Sequence, residues 1–262
     1  MNKIGFLGMG NMAQALAAGF LKSGLVGKDQ IYAFAPDQEK LKRNAERIGF
    51  VPVGSAVELA SRTDTVIMAC KPYQIEEVLG GLGDALNGKT LLSICAGWDY
   101  ARYQKYLDPS VRFQFIMPNT PAMVGEGVLL FESTNSLETE EREQVKKLFS
   151  QVGIVIEMPS HLMGIGGAVS GCGPAFVDLL MEAYADAAVK YGIPRKLAYE
   201  LVTQTVLGSA ALQLESGEHP AVLKDQVCSP AGTTIRGCAA LEEAGFRNAC
   251  LKSIDAVMNS GL

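Results

Sequence analysis

Residues 4–7 (Ile-Gly-Phe-Leu) run straight into Gly8-Met9-Gly10-Asn11-Met12-Ala13 and then into a helix-competent stretch that continues to Leu21. This order of apolar strand, glycine turn and helix strongly restricts the fold. A strand that passes directly into a helix cannot pair with its neighbour through a hairpin, so it belongs to a parallel sheet with helical crossovers. Each position of the Gly-x-Gly-x-x-Ala spacing also solves a physical problem in binding a dinucleotide. Gly8 permits the tight turn, Gly10 lets backbone amides approach a pyrophosphate, and Ala13 is small enough for the helix to pack on the strand. A glycine turn that merely links two elements is the plainer alternative, and the strand and helix on either side favour the nucleotide site.

Residues 1–116 continue the alternation. Short apolar runs at 4–7, 30–34, 65–69, 90–95 and 111–116 are expected strands, and the stretches around 11–23, 38–47, 55–61, 73–80 and 99–106 are expected helices. Ser55-Ala56-Val57-Glu58 has capping-box spacing and marks one helix start. A strand near 127–131, a helix near 138–150 and a strand near 153–157 extend the sheet. After Met158-Pro159 the pattern changes to helices alone, near 161–170, 174–191, 195–215, 219–226, 231–243 and 245–260. The expected organisation is an α/β Rossmann domain with a parallel-rich sheet (residues 1–159) followed by an all-α domain (160–262). The run from Pro174 to Val189 is apolar nearly all round, so it must be buried on most sides. About 100 residues can hardly surround it alone, which points to a homodimer with intertwined helices.

With 262 residues, 48% of them apolar, the chain can bury a sizeable core. A formal charge of −5 gives no basic footprint for nucleic acid. No apolar run is expected to reach the roughly 18–20 residues that span a bilayer, and the first strand stands where a cleaved signal would lie. Six cysteines at 70, 95, 172, 228, 238 and 250 lack Cys-x-x-Cys spacing and read as reduced, mostly buried thiols of a cytoplasmic protein. His161 and His219 are the only histidines, so no metal site is expected.

Several positions carry chemistry. The second strand ends Ile31-Tyr32-Ala33-Phe34-Ala35 without the acid that takes ribose hydroxyls in NAD enzymes, and Asp37 reads as a helix cap. Lys40, Lys42 and Arg43 follow, either as partners of a 2′-phosphate or as a solvated helix face. The balance favours NADP(H) and leaves NAD(H) open. Cys70-Lys71-Pro72 and Ala96-Gly97 lie just past the fourth and fifth strands, at the sheet edge where open α/β folds bind ligands. Met117-Pro118-Asn119-Thr120-Pro121 is a rigid loop that suits the floor of a nicotinamide site and is equally legal as a plain connection. Asp178, Glu182 and Asp186 recur every four residues and read as a wet or salt-bridged face rather than a metal site. Cys172, in the joint Gly171-Cys172-Gly173-Pro174, has no evident His–Asp partner and reads as a small buried residue.

In Ser229-Pro230-Ala231-Gly232-Thr233-Thr234-Ile235, Ser229 is a good N-cap and Pro230 a good first helical residue. The amides of Gly232, Thr233 and Thr234 would then form an anion site of carboxylate size, beside two hydroxyls. A capped helix with nothing bound is an equally good reading of these residues alone.

Taken together the motifs resemble the pyrroline-5-carboxylate reductase family over essentially the whole chain. The likeness rests on Gly8-Met9-Gly10-Asn11-Met12, Cys70-Lys71-Pro72, Met117-Pro118-Asn119-Thr120-Pro121, Ser170-Gly171-Cys172-Gly173-Pro174-Ala175-Phe176, Gly217-Glu218-His219-Pro220 and the 229–235 segment. That last segment resembles the family's diagnostic Ser-Pro-Gly-Gly-x-Thr pattern. The resemblance implies NAD(P)H-dependent reduction of a cyclic imine, Δ1-pyrroline-5-carboxylate, to proline. It implies a Rossmann domain and a helical dimerisation domain, with the homodimer often built further into a decameric ring. It assigns the cofactor to Leu7, Gly8, Met9, Gly10, Asn11, Met12, Ala35, Pro36, Ala69, Cys70, Lys71, Ala96, Gly97 and Asn119. The substrate falls to Ser229, Gly232, Thr233 and Thr234, with Thr234 the proton donor or relay at the ring nitrogen. Ala231 stands where the family has the first glycine of its pair, which costs nothing if that residue is helical. Ala35 replaces a frequent hydroxyl residue near the 2′ position. Two readings compete: a β-hydroxyacid dehydrogenase, whose lysine four residues beyond Gly173 is here Val177, and a regulatory nucleotide-binding protein without catalysis.

Overall fold

The computed structural model describes residues 3–260. Contacts divide the chain into two units, Met1–Cys172 and Gly173–Leu262.

In the first unit β1 (Ile4–Leu7), α1 (Asn11–Lys22), β2 (Ile31–Phe34), α2 (Gln38–Ile48), β3 (Val51–Pro52), α3 (Ala56–Arg62), β4 (Thr65–Met68), α4 (Ile75–Leu82), β5 (Thr90–Ser93), α5 (Tyr100–Tyr103) and β6 (Arg112–Pro118) alternate. β7 (Gly127–Glu132), α6 (Thr139–Phe149), β8 (Gly153–Met158) and α7 (Met163–Ser170) follow. The strands form one sheet in the order β3-β2-β1-β4-β5-β6-β7-β8. β1 to β6 run parallel; β7 is antiparallel to β6, and β8 is parallel to β7. The chain winds outward from β1 in both directions, so the switch point lies between β1 and β4, where open sheets of this kind bind ligands.

Side chains on successive strand residues face opposite sides, and both sides are filled. Phe6 and Ile67 join Leu16, Phe20 and Phe149 in one layer. Leu7, Val66 and Met68 join Leu59, Trp98, Tyr103 and Phe113 in the other. Phe20, Phe131 and Phe149 meet edge to face, and Tyr103 lies against Phe113 with centroids 4.3 Å apart.

The expected strands are all present. β3 is additional: two residues, one of them proline on the sheet edge, carry no alternating pattern to read. The helix expected over 99–106 is only Tyr100–Tyr103, capped by Asp99. The capping box at Ser55 is half formed. Ser55 Oγ accepts the Glu58 amide at 3.0 Å, but the Glu58 carboxylate accepts from Gly54 at 2.9 Å rather than from the cap residue.

The second unit comprises α8 (Gly173–Lys190), α9 (Arg195–Ser216), α10 (Pro220–Val227), α11 (Thr233–Glu243) and α12 (Phe246–Met258). Among its described residues only Ala185 and Ala198 are buried. One chain therefore leaves α8 open, as expected of a run that this unit cannot surround alone: Leu179 is 66% exposed, and Val177 and Tyr184 are exposed as well. The expectation about apolar runs is corrected. Ser160–Lys190 is long and apolar enough to span a bilayer, with mean hydropathy 1.3 over its most apolar window. α7 ends at Ser170 and α8 begins at Gly173, and α8 carries Asp178, Glu182 and Asp186. The thiols are not mostly buried. Only Cys95 is; Cys70, Cys172, Cys228 and Cys238 are half-buried, Cys250 is exposed, and all six are free.

Candidate functional site

Gly8 closes β1 with φ +99°, and its amide donates to Phe34 O at 2.8 Å. A Cβ here would stand 2.6 Å from Ala69 O, so any other residue would collide with the neighbouring strand end. Gly10 differs. It is the N-cap of α1, no side chain caps the helix, and a Cβ on Gly10 would meet nothing within 4 Å. The protein itself thus makes no demand for glycine at position 10. The open space lies over the first-turn amides of Asn11, Met12 and Ala13, and no acidic residue stands in that turn. This cradle fits an anionic phosphate group. Gln14, absent from the expected set, braces the loop: its Nε2 donates to Met9 O at 3.0 Å, and Arg47 donates to its Oε1 at 2.5 Å. A helical glutamine gave no sequence signal for this role.

The neighbouring strand ends gather at the same edge. Past β2, Ala35 and Pro36 lead to Asp37, whose carboxylate accepts the Lys40 amide at 2.9 Å and caps α2. Lys42 faces Glu39 at 3.5 Å, whereas Lys40 and Arg43, both exposed, have no ion pair among the described residues. Past β4, Ala69 N donates to Leu7 O at 2.8 Å, Cys70 is half-buried and Lys71 is exposed. Past β5, Ala96 and Gly97 are exposed, Gly97 turns with φ +75°, and Arg102 donates to Gly97 O at 3.3 Å while lying over the Trp98 ring.

Two side chains hold these ends in place. Cys95 Sγ donates to Met68 O at 3.3 Å and Cys70 O at 3.2 Å, tying β5 to the end of β4. Hydrogen bonding with Cys70, together with burial, pushes the Cys95 thiol far up, so it stays protonated and able to donate. Asn119 is buried, and both ends of its amide are hydrogen-bonded. Oδ1 accepts from Val128 N at 2.8 Å and Nδ2 donates to Ser170 O at 2.9 Å. Its side chain fixes the loop after β6 by holding it to β7 and to the end of α7.

In the second unit the expected start of α11 is corrected. Ser229 is not the N-cap, and Pro230 is not helical. The N-cap is Gly232 and the first helical residue is Thr233. The Gly232 amide donates to Ser229 O at 3.0 Å, so it is not available to an anion. A Cβ on Gly232 would stand 2.5 Å from Ser229 Oγ and 3.0 Å from Ser229 O, so the turn is tight at this position. Ala231 is not helical either. Its φ of +59° is the one positive value at a non-glycine residue among those described, a left-handed conformation that costs alanine about 1 kcal/mol. The first-turn amides left open are those of Thr233, Thr234 and Ile235. No side chain caps them, and neither threonine hydroxyl has a hydrogen-bond partner among the described residues.

Elsewhere in this unit Asp186 pairs with Arg195 at 2.5 Å, which fits a salt-bridged face. No group of three or more metal-ligating side chains occurs among the described residues.

Comparison with known proteins finds a family match in each part of the chain. The family described as pyrroline-5-carboxylate reductase dimerisation matches residues 160–261, and the family described as NADP oxidoreductase, coenzyme F420-dependent, matches residues 3–97. A pyrroline-5-carboxylate reductase of Treponema pallidum is 39% identical over 98% of this chain and 99% of its own length. The Escherichia coli enzyme of that name is 37% identical over 98% of this chain and 96% of its own. Among solved structures, the Plasmodium falciparum pyrroline carboxylate reductase with NADP bound superposes with a TM-score of 0.89 at 32% identity, covering 97% of this chain and 95% of that one. These likenesses do not favour the dehydrogenase and regulatory alternatives. The chain belongs to the pyrroline-5-carboxylate reductase family.

Proposed function

We propose that this enzyme reduces Δ1-pyrroline-5-carboxylate to proline with NADPH as the favoured reductant. The observation that carries the reading is the start of α11. Three uncapped amides and two unpartnered threonine hydroxyls there suit a small carboxylate with a hydrogen-bonding atom beside it. The amides of Thr233 and Thr234 would take the carboxylate, with Ser229 and Gly232 shaping the turn behind them. The Thr234 hydroxyl would hydrogen-bond the ring nitrogen. A hydroxyl is a poor acid, so Thr234 passes a proton from water rather than supplying its own. A cyclic imine hydrogen-bonded at nitrogen is already electrophilic, so the protein's task is chiefly positioning.

Leu7, Gly8, Met9, Gly10, Asn11 and Met12 would hold the pyrophosphate of the dinucleotide, and Ala35 and Pro36 would face the adenosine ribose. Ala69, Cys70, Lys71, Ala96, Gly97 and Asn119 would line the nicotinamide half. The reduced nicotinamide supplies the hydride when bound. Unpaired Lys40 and Arg43 support a 2′-phosphate, and so does the NADP in the Plasmodium falciparum relative. NADH remains the alternative reductant.

We take residues 1–159 as the cofactor part and 160–262 as the dimerisation and substrate part, a division supported by the family match from residue 160. The exposed apolar faces of the second unit support a homodimer, and a decameric ring of such dimers is the further assembly we propose. Six free thiols support a reducing compartment, which we take to be the cytoplasm.

The test is nicotinamide absorbance in the presence of pyrroline-5-carboxylate. Oxidation of NADPH faster than NADH is expected; no oxidation of either would overturn the assignment.

A further inference from the structure

Two thiols that the reaction does not use face each other within the second unit. Cys228 closes α10 as its C-cap residue, Cys238 lies on the second turn of α11, and their Sγ atoms are 4.0 Å apart. Both are half-buried and free. The segment between them holds the turn from Ser229 to Gly232 and the open amides of Thr233, Thr234 and Ile235. We propose that Cys228 and Cys238 form a reversible disulfide that controls substrate binding at the start of α11, an inference that rests on the reading of that helix start as the carboxylate site.

Closing the pair brings the sulfurs from 4.0 Å to about 2.05 Å. Cys238 sits inside a helix, whereas Cys228 lies just past the end of one, so whatever the side-chain rotamers do not supply falls on the backbone at Cys228. Ser229 follows it directly in the chain. Ser229 O holds the Gly232 amide, and Gly232 has no spare room against Ser229. Backbone adjustment at Cys228 is thereby coupled to the turn that sets the α11 amides.

The oxidant is a low-molecular-weight disulfide. One cysteine thiolate attacks a sulfur of that disulfide, forming a mixed disulfide and expelling one thiolate. The second cysteine attacks the protein sulfur, forms the Cys228–Cys238 bond and expels the other. Two protein thiols are oxidised, one external disulfide is reduced to two thiols, and the two cysteine protons end on those thiols. In a reducing compartment such a bond is transient, as a sensor requires.

The full-length enzyme is incubated with oxidised glutathione, alkylated and digested, with KM measured for both substrates before digestion. The expected result is a linked Cys228–Cys238 peptide and a KM for pyrroline-5-carboxylate raised at least fivefold. The KM for NADPH stays unchanged, and dithiothreitol reverses the effect. Cys238→Ser and Cys228→Ser, each checked for an unchanged melting temperature, are expected to match the untreated enzyme and ignore the oxidant. Free or differently linked cysteines after oxidation overturn the proposal, as does a linked pair with unchanged KM. Absence of turnover in the reduced enzyme overturns the functional reading and the control with it, while the peptide masses still report whether the pair closes.

Discussion

Phe6, Phe20, Phe113, Phe131 and Tyr103 of the first unit are sealed from solvent, whereas among the described residues of the second unit only the small Ala185 and Ala198 are. Leu179, Leu207, Leu214 and Leu251, on three different helices of the second unit, are each more than half exposed. The first unit wraps helices around both faces of a sheet and completes a core. The second presents apolar helix faces that one copy cannot cover, in keeping with its match to a dimerisation family. Cofactor binding can then be a property of a self-supporting unit, and substrate binding a property of an assembled one.

The strongest way to break this contrast is to place a charge on an uncovered face. Leu179→Glu removes an apolar contact of about 2 kcal/mol, counted twice in a two-fold dimer. Dimer dissociation is expected to strengthen by about three orders of magnitude. Sedimentation velocity should find monomer at micromolar concentration, and an unchanged dimer would deny that this face is covered by a second copy. Next in size is Gly8→Ala, which tests how closely the first unit is built. A left-handed φ and a Cβ 2.6 Å from Ala69 O should cost about 3 kcal/mol, read as a lowered urea midpoint.

Much of the first unit was legible because parallel strands buried on both faces read as continuous apolar runs between helical patterns. Gly8 was legible for the right reason, since its turn is local. The start of α11 was not. Ser229-Pro230 and Gly232-Thr233 are both legal helix starts, and the choice is made by the Gly232 amide reaching back to Ser229 O. Expecting Ala231 to be helical hid its left-handed φ. Asn119 was legible as a residue at the right edge and Cys95 as a buried thiol, but neither as a side chain spent on backbone groups, because their partners at Ser170, Val128, Met68 and Cys70 are remote in sequence or on another strand. The apolar run of α8 was legible as a helix that about 100 residues cannot surround, and Val177, Leu179 and Tyr184 are accordingly exposed in one chain.

Ala231→Gly carries the smallest expected effect. Relief of the left-handed strain outweighs the added chain entropy, giving about 0.5 kcal/mol of stabilisation by urea unfolding. A loss of stability would mean that the alanine methyl makes a contact worth more than the strain.

The central claim assigns the dinucleotide to Gly10 and the amides behind it, and the imine carboxylate to Thr233 and Thr234. Steady-state reduction of pyrroline-5-carboxylate by the wild type, Gly10→Ala and Thr234→Ala, with both substrates varied, tests it most directly. Gly10→Ala should raise KM for NADPH about tenfold and leave KM for the imine unchanged. Thr234→Ala should leave KM for NADPH unchanged and lower kcat/KM for the imine at least tenfold. Both variants moving the same constant, or Thr234→Ala turning over like the wild type, would contradict the account.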